Sequence, residues 1–303
     1  MPTNAILCPV DFSEQSRQAL LWAAGIARYR HAELTVLSVV EPLLAQAAGI
    51  RLGIDLKRTE VEPALCEFVV GTLPDAARSA SPVRMEVATG SPAEAILDTA
   101  RRLSPLLIAL GTHGLGGIQK ALFGSTTMRV LRHTEWPVLA VPAGAASAPG
   151  AKDAAVRLRK ILLATDFRES AAAAAQWAGE LASSLRVPLV LAHVVEPALP
   201  TTRRAFGADV EREHVAAGER QLAQLSDSVR DTRSDRIVAV GSPAETIALL
   251  ATTQQADLVV MGLANPDKDP GTPGSIAYEV VRAAHVAVAV VPRSSVTLPS
   301  TSH

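Results

Sequence analysis

Apolar and polar positions follow two rhythms along this chain. Short β-branched and aliphatic runs alternate with longer stretches in which apolar residues recur at the helical period, the pattern of βαβ units. The runs are apolar throughout rather than alternating, as expected of strands buried on both faces of a parallel sheet. They predict strands at about 5–10, 34–40, 83–88, 106–110 and 138–141, and again at about 160–165, 188–195, 235–240, 257–261 and 286–291. Helices fill the gaps. Ser13 and Ser91 stand where N-caps belong, and Pro92 and Pro243 where a first helical residue tolerates a missing N–H. In an open parallel sheet, ligands bind outside the carboxyl ends of the strands. Asp11, Val39 to Glu41 and the glycines after Leu110 all fall at that edge.

The pattern is written twice. Ile6-Leu-Cys-Pro-Val-Asp-Phe12 matches Ile161-Leu-Leu-Ala-Thr-Asp-Phe167, and at the same spacing Trp22 pairs with Trp177 and Val39-Val-Glu-Pro42 with Val194-Val-Glu-Pro197. At slightly shorter spacing Gly90-Ser-Pro-Ala-Glu94 recurs as Gly241-Ser-Pro-Ala-Glu245, and Gly124-Ser125 as Gly274-Ser275. An Ala, Gly, Ser and Pro-rich stretch between the copies reads as a linker. The expected organisation is a domain over 1–145, a linker over 146–155 and a domain over 156–293. Each domain is expected to be a Rossmann-like, doubly wound α/β unit with a five-stranded, mostly parallel sheet. The length of 303 residues suits two domains of roughly 150.

Composition narrows the function. The 29 basic and 30 acidic side chains leave a net charge of −1 with no long block of either sign, so a nucleic acid or an anionic membrane is not an expected partner. Mean hydropathy is positive at +0.22, yet every apolar run falls far short of the roughly 20 residues that span a bilayer. The N-terminal residues show no basic region, apolar stretch and cleavage site of a secretory leader, which leads us to expect the cytoplasm. Cys8 and Cys66 have neither metal-ligand nor redox-pair spacing and read as inert, packed thiols.

The chemistry-bearing segment follows the fourth strand: Gly111-Thr-His-Gly114, nine residues, then Gly124-Ser125-Thr126 at the start of a helix. Glycines let a backbone approach a ligand closely, and the free N–H groups at a helix start attract an anion. A phosphate is thus expected against the amides of Gly124, Ser125 and Thr126, with the Ser125 and Thr126 hydroxyls as further donors. A glycine-rich surface loop with an ordinary cap satisfies the composition equally well. The spacing G-2x-G-9x-G-(S/T), with the opening Pro9-Val10-Asp11-Phe12-Ser13, Val39-Val40-Glu41, Gly90-Ser91-Pro92 and Trp136-Pro137-Val138, resembles the ATP-binding universal stress proteins. The resemblance covers residues 5–142 and 158–292, a tandem arrangement. It implies ATP as the cofactor, with Pro9, Val10, Asp11, Val39 and Val40 around the adenine and ribose. It further implies Gly111, His113 and Gly114 along the ribose and phosphates, and Gly124, Ser125 and Thr126 on the phosphates. An accompanying Mg²⁺ or Mn²⁺ would be held largely by phosphate oxygens and water, because no carboxylate cluster marks a protein cage.

The second copy departs from the motif. Asn265 stands where the second glycine belongs, the loop is one residue shorter and holds three prolines, and Asp267 and Asp269 would repel phosphate. Asp166, Gly262, Gly274 and Ser275 survive as a vestigial site that we do not expect to bind. His113 has an acid–base reading and a loop-ordering one, and the second copy has Ala264 in its place. No catalytic signature stands out: a GxGxxG after the first strand, a Gly-Lys-Ser/Thr phosphate loop and a GxSxG elbow are all absent. The leading function is an ATP binder with a sensing or regulatory role and at most slow hydrolysis. A nucleotide phosphohydrolase of the same fold and a nucleotide-free interaction scaffold are the alternatives. The apolar last strands, 138–141 and 286–291, are sheet-edge templates. The two copies are expected to associate through them as an internal pseudo-dimer, with homodimerisation as a further step.

Overall fold

The computed structural model describes residues 4–52, 54–74, 82–112, 124–142, 145, 158–197, 209–229, 233–263 and 275–293. The chain divides into two compact units, Met1–Arg157 and Leu158–His303. The 146–155 linker of the sequence reading lies outside the described residues.

The first unit runs β1 (Ala5–Val10), α1 (Glu14–Arg30), β2 (Glu33–Val40), α2 (Pro42–Leu52), a π-helical turn (Lys57–Val61), α3 (Glu62–Thr72), β3 (Val83–Thr89), α4 (Pro92–Leu103), β4 (Leu107–Gly111), α5 (Ser125–His133) and β5 (Val138–Val141). Its strands lie in the order β3-β2-β1-β4-β5, and the β1–β2, β1–β4, β2–β3 and β4–β5 pairs are all parallel. The order reverses between β1 and β4, so the chain is doubly wound, as the two-rhythm sequence predicts. β1, β4 and β5 are sealed on both faces: Ile6, Leu7, Cys8, Ile108, Ala109, Leu139 and Ala140 have essentially no exposed surface.

The second unit repeats the plan with β6 (Ile161–Ala164), α6 (Glu169–Leu185), β7 (Leu189–Val195), α7 (Asp209–Ser228), β8 (Ser234–Val240), α8 (Pro243–Thr253), β9 (Leu258–Leu263), α9 (Ser275–Ala283) and β10 (Ala287–Pro292). The order is β8-β7-β6-β9-β10, again parallel in the β6–β7, β6–β9, β7–β8 and β9–β10 pairs. Every strand lies within two residues of its sequence-based position. Asp257, nearly buried, fastens the entry to β6: it accepts the Arg159 backbone N–H and guanidinium, each at 2.7 Å.

Two local readings need revision. Ser13 caps α1 by accepting the Ser16 N–H at 3.2 Å, but Ser91, which does occupy the N-cap of α4, makes no side-chain capping bond. Cys8 is buried and its thiol pKa is pushed far up by desolvation, whereas Cys66 is exposed rather than packed. Alkylation of the folded chain is therefore expected to stop at one label, on Cys66, and to reach two in denaturant. Mass analysis checks this, and labelling of Cys8 at native pH would contradict the burial.

Candidate functional site at the carboxyl edge of the sheet

Parallel pairing carries the carboxyl ends of β1, β2 and β4 to one edge of the first unit. Val10 lies abreast of Ser38, and the Leu7–Ile108 pair, continued three residues, brings Val10 level with Gly111. Pro9, Val10, Asp11, Val39, Val40 and Gly111 of the sequence reading therefore come together. In β2 the Glu33 N–H donates to Asn4 on the β1 side, while the Val40 carbonyl accepts the Gly90 N–H at 3.0 Å on the β3 side. This alternation aims the Val39 carbonyl toward β1, beyond the point where β1 has ended. His113 and Gly114 lie outside the described residues.

Asp11 sits on a tight turn. The residue after it, Phe12, has φ of 65°, a left-handed conformation that costs a non-glycine residue about 1–3 kcal/mol. The turn is closed by the Asp11 carboxylate, whose Oδ1 accepts both the Ser13 N–H at 3.1 Å and the Ser13 hydroxyl at 2.5 Å. Ser13 passes the constraint on by capping α1. Asp11 itself is exposed, so its carboxylate is held in place yet open to solvent.

The start of α5 is fastened to the end of β4. Gly124 donates its N–H to the Thr112 carbonyl at 2.8 Å, and the Thr127 hydroxyl donates to the Gly111 carbonyl at 2.9 Å. The Gly124 amide, set against a phosphate in the sequence reading, here meets the Thr112 carbonyl. The Gly124 carbonyl accepts the Met128 N–H, so the N–H groups of Ser125, Thr126 and Thr127 are the ones left without an intrahelical acceptor. Those of Ser125 and Thr126 stand together with the two hydroxyls at the helix start. Arg132 and His133 close the last turn and no acidic residue stands in the first, so side-chain charge leaves the N-terminal dipole end uncancelled.

The glycines have reasons of their own. At Gly111 a Cβ would stand 2.9 Å from the Gln15 backbone carbon and 3.1 Å from its oxygen, so α1 could not lie so close to β4. At Gly124 φ is −58° and ψ is 126°, backbone open to any residue, but a Cβ would stand 3.0 Å from the Thr112 carbonyl oxygen. Close approach, not a left-handed backbone, is what requires glycine at both.

The second unit keeps the turn and changes its surroundings. Asp166 follows β6, Phe167 has φ of 60°, and Asp166 Oδ1 accepts the Arg168 N–H at 3.0 Å. Arg168 replaces Ser13, leaves α6 without a side-chain cap and brings its Nε to 3.7 Å from Asp166 Oδ2. Gly262 lies within β9 beneath the first turn of α6, and Ser275 opens α9. Gly274, Asn265 and the proline-rich insert lie outside the described residues. The Phe167 ring rests on His193, with centroids 4.6 Å apart, and the His193 Nδ1–H donates to the Thr165 carbonyl at 2.8 Å. Sequence reading passed over His193, which takes the place of Ser38, because a single histidine in an apolar strand carries no motif.

Two doubly wound units, each with a glycine-bearing strand end facing a helix start, define a tandem Rossmann-type α/β protein. The family model for the Universal stress protein family matches residues 2–142 and 157–292, and the chain belongs to that family. A universal stress protein of Mycolicibacterium smegmatis is 27% identical over 94% of this chain and 96% of its own length. The Bacillus subtilis universal stress protein YxiE is 28% identical over 46% of this chain and 98% of its own, the length of one repeat. Among solved structures, a universal stress protein from Archaeoglobus fulgidus overlays with a TM-score of 0.68 at 23% identity, covering 97% of this chain and all of the other. No described helix is long and apolar enough to cross a membrane.

Proposed function

We propose that this chain is an ATP-binding universal stress protein of the cytoplasm whose first unit holds the nucleotide and whose role is sensing or regulation in a stress response. The observation that carries the reading is the junction of β4 and α5. Thr112 and Gly124 are pinned together there, and the Ser125 and Thr126 amides stand at a helix N-terminus at the end of β4, on the edge of the sheet where β1 and β2 also end. In this reading the phosphates lie on Ser125 and Thr126, and Gly124 lets the helix start close on the Thr112 carbonyl. Asp11 faces the ribose, and the Val39 carbonyl, aimed past the end of β1, receives the exocyclic amine of adenine. The side chains of Val10 and Val40 border the base.

Among the described residues no three His, Cys, Asp or Glu side chains gather into a possible metal cage. A Mg²⁺ or Mn²⁺ arriving with ATP would draw its ligands from phosphate oxygens and water. The described residues at this edge supply hydrogen-bond donors at a helix start, the feature on which the binding reading rests.

Purified chain is expected to carry adenine nucleotide through gel filtration, identified by mass spectrometry, and to melt at a higher temperature with added ATP. Rapid multiple turnover to ADP or AMP would replace the binder with a phosphohydrolase. No copurified nucleotide and no ATP-dependent shift would leave a scaffold.

A further inference from the structure

The turn that carries Asp11 is braced in the first unit by a cluster with no counterpart among the described residues of the second. Phe12, held at φ of 65°, places its ring edge-on to Phe68 of α3, with centroids 5.6 Å apart. The Arg17 guanidinium of α1 lies 4.7 Å over the same Phe68 ring. Its Nη1 donates to the Thr72 hydroxyl at 2.7 Å, and that hydroxyl donates to the Phe68 carbonyl at 2.6 Å. Its Nε faces Glu14 at 3.3 Å. The Arg17 backbone N–H donates to the Ser13 carbonyl at 3.0 Å, and Ser13 in turn donates twice to Asp11. The Arg17 side chain thus joins α3 to the first turn of α1, and the Phe68 ring it lies on meets the Phe12 ring of the Asp11 turn.

In the second unit, Ala172 occupies the place of Arg17, Arg168 that of Ser13, and the Phe167 ring turns to His193 of the neighbouring strand instead. The brace is present in the unit with the complete glycine motif and, among the described residues, missing from the one with the degenerate motif. Local packing alone does not demand it, since the same left-handed turn forms at Phe167 without it.

We propose that Arg17 is a positioning residue for nucleotide binding: with Phe68 and Thr72 it fixes the Phe12 turn, and through it the Asp11 carboxylate, without touching the ligand. This rests on the reading of the first unit as the ATP site. A planar guanidinium lies on the Phe68 ring while its edge N–H groups bond Thr72 and face Glu14, and a compact ammonium on a flexible stem does not reproduce that fixed fork.

The test is a double-mutant cycle on ATP binding by the full chain, measured by calorimetric titration. Arg17→Met, which keeps the apolar stem, is expected to weaken ATP about tenfold, and Arg17→Lys to fall between it and the parent. Asp11→Ala should weaken ATP by at least as much. In the double variant, Arg17→Met should add less than twofold, because the group it positions is gone. A merely structural Arg17 would lower the melting temperature of each protein and weaken ATP by the same factor with or without Asp11. Additive effects, or parent-like affinity in Arg17→Met, would overturn the positioning role while leaving the nucleotide reading intact. Failure of the parent chain to bind ATP would overturn that reading and the positioning role with it.

Discussion

Calorimetric titration with ATP is expected to find one site per chain, and Gly124→Val is expected to weaken it by more than a hundredfold. The described geometry gives the reason. A Cβ at 124 meets the Thr112 carbonyl oxygen at 3.0 Å, and valine adds two further carbons against the same junction. The junction must open by a few tenths of an ångström, which displaces the Ser125 and Thr126 amides together. The backbone itself has no objection to valine, since φ is −58°, so the unit should remain folded. Gly274→Val should leave both affinity and stoichiometry unchanged. In that unit Asn265 and the shortened loop replace the glycine motif, and the Asp166 carboxylate already has its own neighbour, Arg168, on both oxygens. Two equivalent sites in the parent, or loss of binding in Gly274→Val alone, would reverse the assignment of the two units.

The fold was legible in the sequence because burial on both faces of a parallel sheet leaves an unbroken apolar run, and turn chemistry marks both ends of it. β1, from Ala5 to Val10, is such a run, ending at Asp11 and Ser13. Function was less legible, because absence of a side chain serves two purposes that sequence does not separate. Gly111 reads as a ligand-facing glycine, yet the atoms that exclude a Cβ there belong to Gln15 of α1. Gly124 reads as a phosphate donor, yet its N–H is committed to Thr112. Cys66 was misplaced by phase: Leu65, Phe68, Val69 and Thr72 form the buried stripe of α3, and Cys66, one residue past Leu65, turns about 100° away from it. The left-handed backbone of Phe12 and the reach of Arg17 to Thr72, fifty-five residues away, leave no local signal at all.

Gly262→Ala is expected to remove about 3 kcal/mol from the second unit, at the upper end of overpacking costs. The added Cβ would lie 2.6 Å from the Ser170 backbone carbon, 2.7 Å from its oxygen and 2.9 Å from the Ala171 nitrogen. These are main-chain atoms of the first turn of α6, with no flexible side-chain end that could swing aside. Ala171, Ala174, Ala175, Ala178 and Ala182 form much of the buried face of α6, so the helix already lies close to the sheet and its retreat would open gaps along that face. Gly111→Ala, whose nearest contacts are 2.9 to 3.1 Å, should cost less, about 1–2 kcal/mol, and in the first unit. Gly71→Ala is the control: it is exposed in α3 with nothing within 4 Å of the added carbon, and helix propensity should make it neutral or stabilising by up to about 1 kcal/mol. Urea unfolding followed by fluorescence separates the units, since Trp177 reports the second while Trp22 and Trp136 report the first. A Gly262→Ala chain within about 0.5 kcal/mol of the parent would mean that α6 yields freely. Glycine would then have to be explained at that strand end by a ligand rather than by the helix above it.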